Sequence, residues 1–229
     1  MRYRKKKKDH FEIDQPFDFA EDTNWRIFRI MAEFIEGFEF LAPLRKEITF
    51  FGSARLPEGS KWYQEARKLG ALLAKEQFTV ITGGGPGIME AGNRGAFEAG
   101  GASVGIDIEL PQEQRRNQYV KNGHGFHYFF TRKVMMAASA QAYAFFPGGF
   151  GTLDEFFEII TLIQTKKMEP LPVVCVGHDF WDPLHEWIRT HMVASYATIS
   201  PEDIDLYTIV DTAEEAFEIL RKSKERKYF

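Results

Sequence analysis

Apolar positions along this chain follow two rhythms. Over residues 22–44 they recur at helical spacing, as Trp25, Phe28, Ile30, Met31, Phe34, Ile35, Phe38 and Leu41, with Pro43 placed to stop the run. This predicts a helix ahead of the main fold. Its aromatic load exceeds what one packed face needs, so it either lies across the core or also buries surface against another subunit. Packing within the chain is the simpler expectation. From Glu47 onward, short continuous apolar runs alternate with amphipathic stretches. The runs at 48–51, 78–82, 102–106, 125–129, 142–146, 171–176 and 207–210 read as strands. Helices are expected over 61–75, 88–99, 131–141, 151–166, 180–194 and 212–224. Strands without polar alternation, each joined by a helix, imply a Rossmann-like α/β fold: a parallel sheet with helices on both faces. With no fixed-period repeat, the expected division is a basic, frayed segment over 1–21, the helix over 22–44 and one α/β domain over 45–229.

Composition narrows the function classes. A hydrophobic fraction of 44% with 22 Phe supplies a real core, and a net charge of −4 gives no global basic field to attract nucleic acid. Six of the seven residues from Arg2 to Lys8 are basic, and so short a run reads as a solvated terminus. The lone Cys175 sits in Val173-Val174-Cys175-Val176, where a small buried thiol suits a reducing compartment. The sequence has no secretory leader and no apolar run long enough to span a bilayer, so a cytoplasmic protein without membrane contact is expected. Six scattered His form no metal-ligand pattern, and neither a metal nor an organic cofactor is expected.

Three glycine-bearing turns follow strands and should share the carboxyl rim of the sheet, where such folds bind ligands. The most informative is Pro147-Gly148-Gly149-Phe150-Gly151-Thr152, between an apolar strand and an apolar helix. Gly148, Gly149 and Gly151 let backbone amides converge on an anion, the helix start adds partial positive charge, and Thr152 adds a hydroxyl. Gly83-Gly84-Gly85-Pro86-Gly87 is a second turn, matching neither the dinucleotide fingerprint nor a P-loop. Gly52-Ser53-Ala54-Arg55 is the third. Together, with Ser53, Gly84 and Gly85 on the rim, they would hold a nucleoside phosphate. Arg132 and Lys133 are placed at the start of a helix, where cations oppose the dipole unless an anion sits nearby. Glu155 is placed in the first turn of the helix after the cradle, where the sugar of a bound nucleotide should lie. A carboxylate there can stabilise an oxocarbenium-like sugar cation.

The run Pro147-Gly148-Gly149-Phe150-Gly151-Thr152-Leu153-Asp154-Glu155 resembles the P-G-G-x-G-T-x-x-E signature of the LOG family of cytokinin-activating phosphoribohydrolases. Arg132-Lys133 resembles the second half of that family's paired motif, and the resemblance extends from about Trp25 to the C-terminus. Phe129-Phe130 stands where short plant members carry Met-His, which resembles the longer bacterial branch. The resemblance implies hydrolysis of the N-glycosidic bond of a nucleoside 5′-monophosphate to free base and ribose 5-phosphate. It implies Arg132 and Glu155 as catalytic pair, Gly148, Gly149, Gly151 and Thr152 as phosphate site, and Lys133 and Glu113 as substrate contacts. It also implies a homo-oligomer. The family's frequent label, lysine decarboxylase, gains no support, since no pyridoxal phosphate lysine motif is visible. A non-catalytic nucleotide or cofactor carrier on the same fold is the alternative.

Overall fold

The computed structural model describes residues 19–109 and 116–225. At its centre β1 (Glu47–Phe51) pairs on one side with β2 (Thr79–Thr82), followed outward by β3 (Ala102–Ile108) and β4 (Asn122–Phe126). On its other side lie β5 (Ala142–Phe145), β6 (Val173–Val176) and β7 (Thr208–Val210). All pairings are parallel, giving the order β4-β3-β2-β1-β5-β6-β7. Chain direction across the sheet therefore reverses between β1 and β5, which opens a crevice at their carboxyl ends.

Side-chain alternation sorts the core into two layers. Ile48 and Phe50 of β1 join Val80, Ala142, Ala144 and Val174 under α2 (Lys61–Lys75), α3 (Ile88–Glu98) and α7 (Ala213–Leu220). Phe51, Ile81, Ile106, Tyr143 and Phe145 face the opposite way. They meet α1 (Phe19–Leu41), α4 (Phe129–Ala138), α5 (Phe150–Gln164) and α6 (His178–Trp187) through Leu41, Met135, Phe156 and Trp181. Both faces are covered, as continuous apolar strands require. α1 crosses close over this second layer at Gly37, where a Cβ would fall 2.6 Å from the sulfur of Met135.

Several boundaries differ from those the pattern suggests. The fourth strand runs over Asn122–Phe126, three residues earlier than expected, because its register is set by pairing with Val104–Ile108 of β3. Its sequence, Asn-Gly-His-Gly-Phe, has little intrinsic strand preference to announce it. α4 starts at Phe129, so Arg132 and Lys133 are its fourth and fifth residues instead of its opening ones. α5 starts at Phe150, inside the glycine turn, which moves Glu155 out of the first turn and into the second. The helix expected over 180–194 is α6 with Pro183 inside it, followed by a π-helical stretch, Ile188–Ser195. No helix among the described residues is long and apolar enough to cross a membrane. The basic run from Arg2 to Lys8 and Glu113 lie outside the described residues.

Candidate functional site at the carboxyl rim

The three glycine turns do meet. The Ser53 N–H donates to the Pro147 carbonyl (3.0 Å), and the Ile88 N–H donates to the Ser53 carbonyl (3.0 Å), so the turns after β1, β2 and β5 are bonded to one another. Glycine is required where they touch. Gly84 and Gly87 have φ of 72° and 68°, and a side chain on Gly87 would overlap the Ser53–Ala54 backbone. The hydroxyl of half-buried Ser53 accepts from the Arg55 N–H two residues on (3.1 Å). The Gly84 N–H donates to the Thr82 hydroxyl (2.9 Å), and the side chain of Asn117 donates to the carbonyls of Gly84 and Gly85 (3.0 Å each). Gly84 and Gly85 are thus held from behind and buried.

The turn after β5 is different. Gly149 is the N-cap of α5, and no side chain caps it. A Cβ on Gly149 or Gly151 would meet nothing within 4 Å, and Phe150 between them is 94% exposed. Thr152 is buried with its side chain folded against Gly148, so closely that a Cβ there would overlap it. The result is an open helix N-terminus whose first amides face outward from a fixed base. Free N–H groups and the helix dipole together favour an anion at such a place.

Beside it, α4 and α5 bring Arg132 and Glu155 together. The Nε of Arg132 donates to the carbonyl of Ile106 at the end of β3 (2.8 Å), and its guanidinium lies over Gly83, where a side chain would displace it. Burial lowers the Arg132 pKa from its ordinary value, while Glu155 and Asp107 raise it. Among the described residues Arg132 forms no ion pair. Burial likewise pushes Glu155 up to about 7; Lys133 and Arg132 oppose that shift, and Glu158 and Asp154 add to it. Glu155 Oε2 is buried without a hydrogen-bond partner. A carboxylic acid whose charge is this poorly solvated is poised between its two protonation states near neutrality.

Lys133 points elsewhere. Its Nζ donates to Asp154 Oδ2 (2.5 Å) and forms an ion pair with Glu158 Oε2 (3.2 Å), and although burial pulls its pKa down, these two carboxylates outweigh that and raise it. The lysine therefore ties α4 to α5.

Two residues of the site escape the sequence pattern. Asp107, at the end of β3, pairs with Arg116 and presses Oδ1 against Gly84, with that oxygen buried and unpartnered. Burial raises its pKa; Arg116, Arg132 and His124 oppose the rise. Glu33 of α1, almost fully buried, accepts from the N–H groups of His127 (2.9 Å) and Tyr128 (3.3 Å) and from the Thr131 hydroxyl (2.6 Å). It anchors the start of α4, one residue from Arg132. A carboxylate at position 33 on the core-facing stripe of Ile30, Phe34 and Leu41 was a legible anomaly, because a buried charge demands partners. Asp107 offered a fainter signal, as an acid ending an apolar strand.

Residues 89–220, more than half of the chain, match the profile of the protein family described as "Possible lysine decarboxylase". The chain is also 30% identical over 188 residues to the cytokinin riboside 5′-monophosphate phosphoribohydrolase LOG of Oryza sativa subsp. japonica, covering 79% of this chain and 73% of that one. The chain belongs to the LOG family. A second member, the phosphoribohydrolase of Rhodococcoides fascians, is 28% identical over 68% of this chain and 80% of its own. Other solved proteins share this fold. The molybdenum cofactor carrier protein of Chlamydomonas reinhardtii superposes with a TM-score of 0.59 over 78% of this chain and 97% of its own, at 20% identity. The molybdenum cofactor binding protein of Rippkaea orientalis gives 0.56 over 76% and 93%, also at 20% identity. These two share the fold.

Proposed function

We propose that the rim binds a nucleoside 5′-monophosphate, with the phosphate on the open amides of α5, and that Arg132 and Glu155 hydrolyse its N-glycosidic bond. The observation that carries this reading is the spacing of two features on α5. Uncapped amides at Phe150–Thr152 stand one helical turn from a largely buried carboxyl with an unpartnered oxygen. A phosphate on the first seats the ribose against the second. Water adds at the anomeric carbon as the bond to the base breaks; the base leaves with the electron pair and takes up a proton, giving free base and ribose 5-phosphate. Ionised, Glu155 stabilises the positive charge that builds on the sugar. Protonated, as its pKa of about 7 allows near neutrality, it can supply the proton to the departing base. Arg132 holds the phosphate or ribose in register. The names of the rice and Rhodococcoides relatives support this chemistry. Phe129-Phe130 and the helix before β1 support the longer bacterial branch.

A second reading is binding without turnover, and the extent of fold shared with the Chlamydomonas carrier favours it. Both readings need the same amides to hold a phosphate. Incubation with a panel of nucleoside monophosphates, followed by detection of base and ribose 5-phosphate alongside calorimetric titration, separates them. Hydrolysis predicts base release that falls about a hundredfold or more in Glu155→Gln with nucleotide affinity retained. Binding with no base release from any monophosphate assigns the carrier role. No binding at all removes both.

A further inference from the structure

Lys133 lies within electrostatic reach of Glu155, yet among the described residues its ion pairs are to other carboxylates. Burial is the main force that pushes Glu155 up, and Lys133 is the strongest influence against it. The ammonium donates to Asp154 Oδ2 (2.5 Å) and pairs with Glu158 Oε2 (3.2 Å). Positions 154 and 158 lie about one turn apart on the same face of α5, so a single cation from α4 bridges them. Glu155 is one residue round the helix from Asp154, and its Oε2 is left buried without a hydrogen-bond partner.

The two partners of Lys133 are not equal. The Asp154 side chain is 64% exposed, where water weakens the attraction and an ion pair contributes little. Glu158 is 26% exposed, and its Oε2 is sealed from solvent without a hydrogen-bond donor. A carboxylate oxygen so placed keeps its charge with a cation beside it, and Lys133 is that cation. Glu158 therefore carries most of the hold. An ammonium on Glu155 would instead fix that side chain as carboxylate and remove the proton that the base takes up on leaving. The other charged groups around Glu155 are engaged elsewhere. Arg132 is tied to the Ile106 carbonyl (2.8 Å). Asp203, on the 3-10 turn Pro201–Leu206 packed against α5, accepts from Gln164 at the far end of the helix (2.7 Å).

We propose that Glu158 is a positioning residue of this site: touching no substrate itself, it draws Lys133 away from Glu155 and leaves that carboxyl free to keep a proton for the departing base. The use of the proton rests on the hydrolytic reading given above, whereas the hold on Lys133 is measurable without turnover.

Carbon-13 NMR of the full chain, labelled at its glutamate carboxyls, reads that hold, with the Glu155 resonance identified by its loss in Glu155→Gln. In Glu158→Gln the ammonium is released to Glu155, whose titration midpoint should fall by about one to two pH units. In Lys133→Met it should rise by about one. The double variant decides the route: adding Glu158→Gln to Lys133→Met should move the midpoint far less than adding it to the parent. Glu158→Asp, which keeps the charge but withdraws it from Lys133, should give part of the fall and serves where Glu158→Gln does not fold. Base release from AMP by Glu158→Gln should drop about tenfold or more at pH 8 with nucleotide affinity retained. A midpoint unmoved by both changes at Glu158 overturns the proposal. An equal fall in the parent and Lys133→Met backgrounds overturns it too, since the two carboxylates would then repel directly. The expected midpoints without base release from any monophosphate would support the hold on Lys133 and reject the hydrolytic reading.

Discussion

α4 and α5 start side by side at the same rim, yet their N-termini are furnished in opposite ways. At the start of α4 the protein supplies its own anion: Glu33, from a helix almost a hundred residues earlier, bonds the His127 and Tyr128 amides and the Thr131 hydroxyl. At the start of α5 there is none. The N-cap is glycine, the first turn holds no acid, and the space beside Gly149 and Gly151 is empty of protein. A helix start capped only by glycine forgoes roughly 0.3 kcal/mol of stability relative to one capped by a side chain. The difference separates two uses of one physical device. A carboxylate fixed at α4 holds the helix that carries Arg132, and a vacant start at α5 leaves room for an anion from outside.

The sharpest way to break the contrast is to make α5 resemble α4. Gly149→Asp places a carboxylate at the N-cap, where φ of −94° and open space around the Cβ position accept a side chain. The new acid competes with the ligand phosphate for the same amides and repels it. Affinity for a nucleoside monophosphate should fall about a hundredfold while the protein gains about 0.5–1 kcal/mol of stability. Calorimetric titration together with thermal unfolding reads both. A variant that binds as tightly as the parent would show that the phosphate sits elsewhere.

The converse is to strip α4. Glu33→Ala removes the acceptor for two backbone amides and a hydroxyl at a buried site, and should cost roughly 2–3 kcal/mol of stability. Glu33→Gln, which keeps one acceptor and the shape, should cost about half as much. Denaturant titration measures both losses. No loss in Glu33→Gln would mean that Glu33 fills space and its charge does nothing; equal loss in the two variants would mean that the charge alone matters.

The same contrast explains what could be read from the chain beforehand. Apolar runs revealed six of the seven strands, and α2 was bounded correctly at Lys61–Lys75, where the structure caps its start with the Ser60 hydroxyl, which accepts from the Tyr63 N–H (3.3 Å). β4 was misplaced because pairing with β3 decides it. Gly148, Gly149, Gly151, Thr152 and Glu155 could be proposed as a site from the sequence because a glycine turn and the helical turn above it are local in the chain. Glu33 and Asp107 were not singled out, because their roles depend on partners brought in by the fold: Thr131, and the backbone of Gly84. The tie that Lys133 makes between α4 and α5 was hidden for the same reason. Only the packing of α4 against α5 shows it bound to Asp154 and Glu158.

The smallest expected effect concerns protons. Glu155, raised by burial to about 7, holds its proton more tightly in the folded chain than in the unfolded one. Its contribution to stability is therefore full below the ordinary glutamate value near 4.5 and is lost as pH rises through about 7. Glu155→Gln should flatten that part of the stability profile and leave the variant the more stable form at pH 8. A phosphate on α5 adds negative charge nearby and raises Glu155 further, so binding takes up protons between about pH 6 and 8. The ligand phosphate also titrates near 6, which makes the difference between parent and Glu155→Gln the informative quantity. Over that window the parent should lose about threefold to tenfold in affinity relative to the variant. Parallel affinity profiles would mean that the bound anion does not reach this carboxyl, and the link between α5's open start and the acid one turn above it would fail.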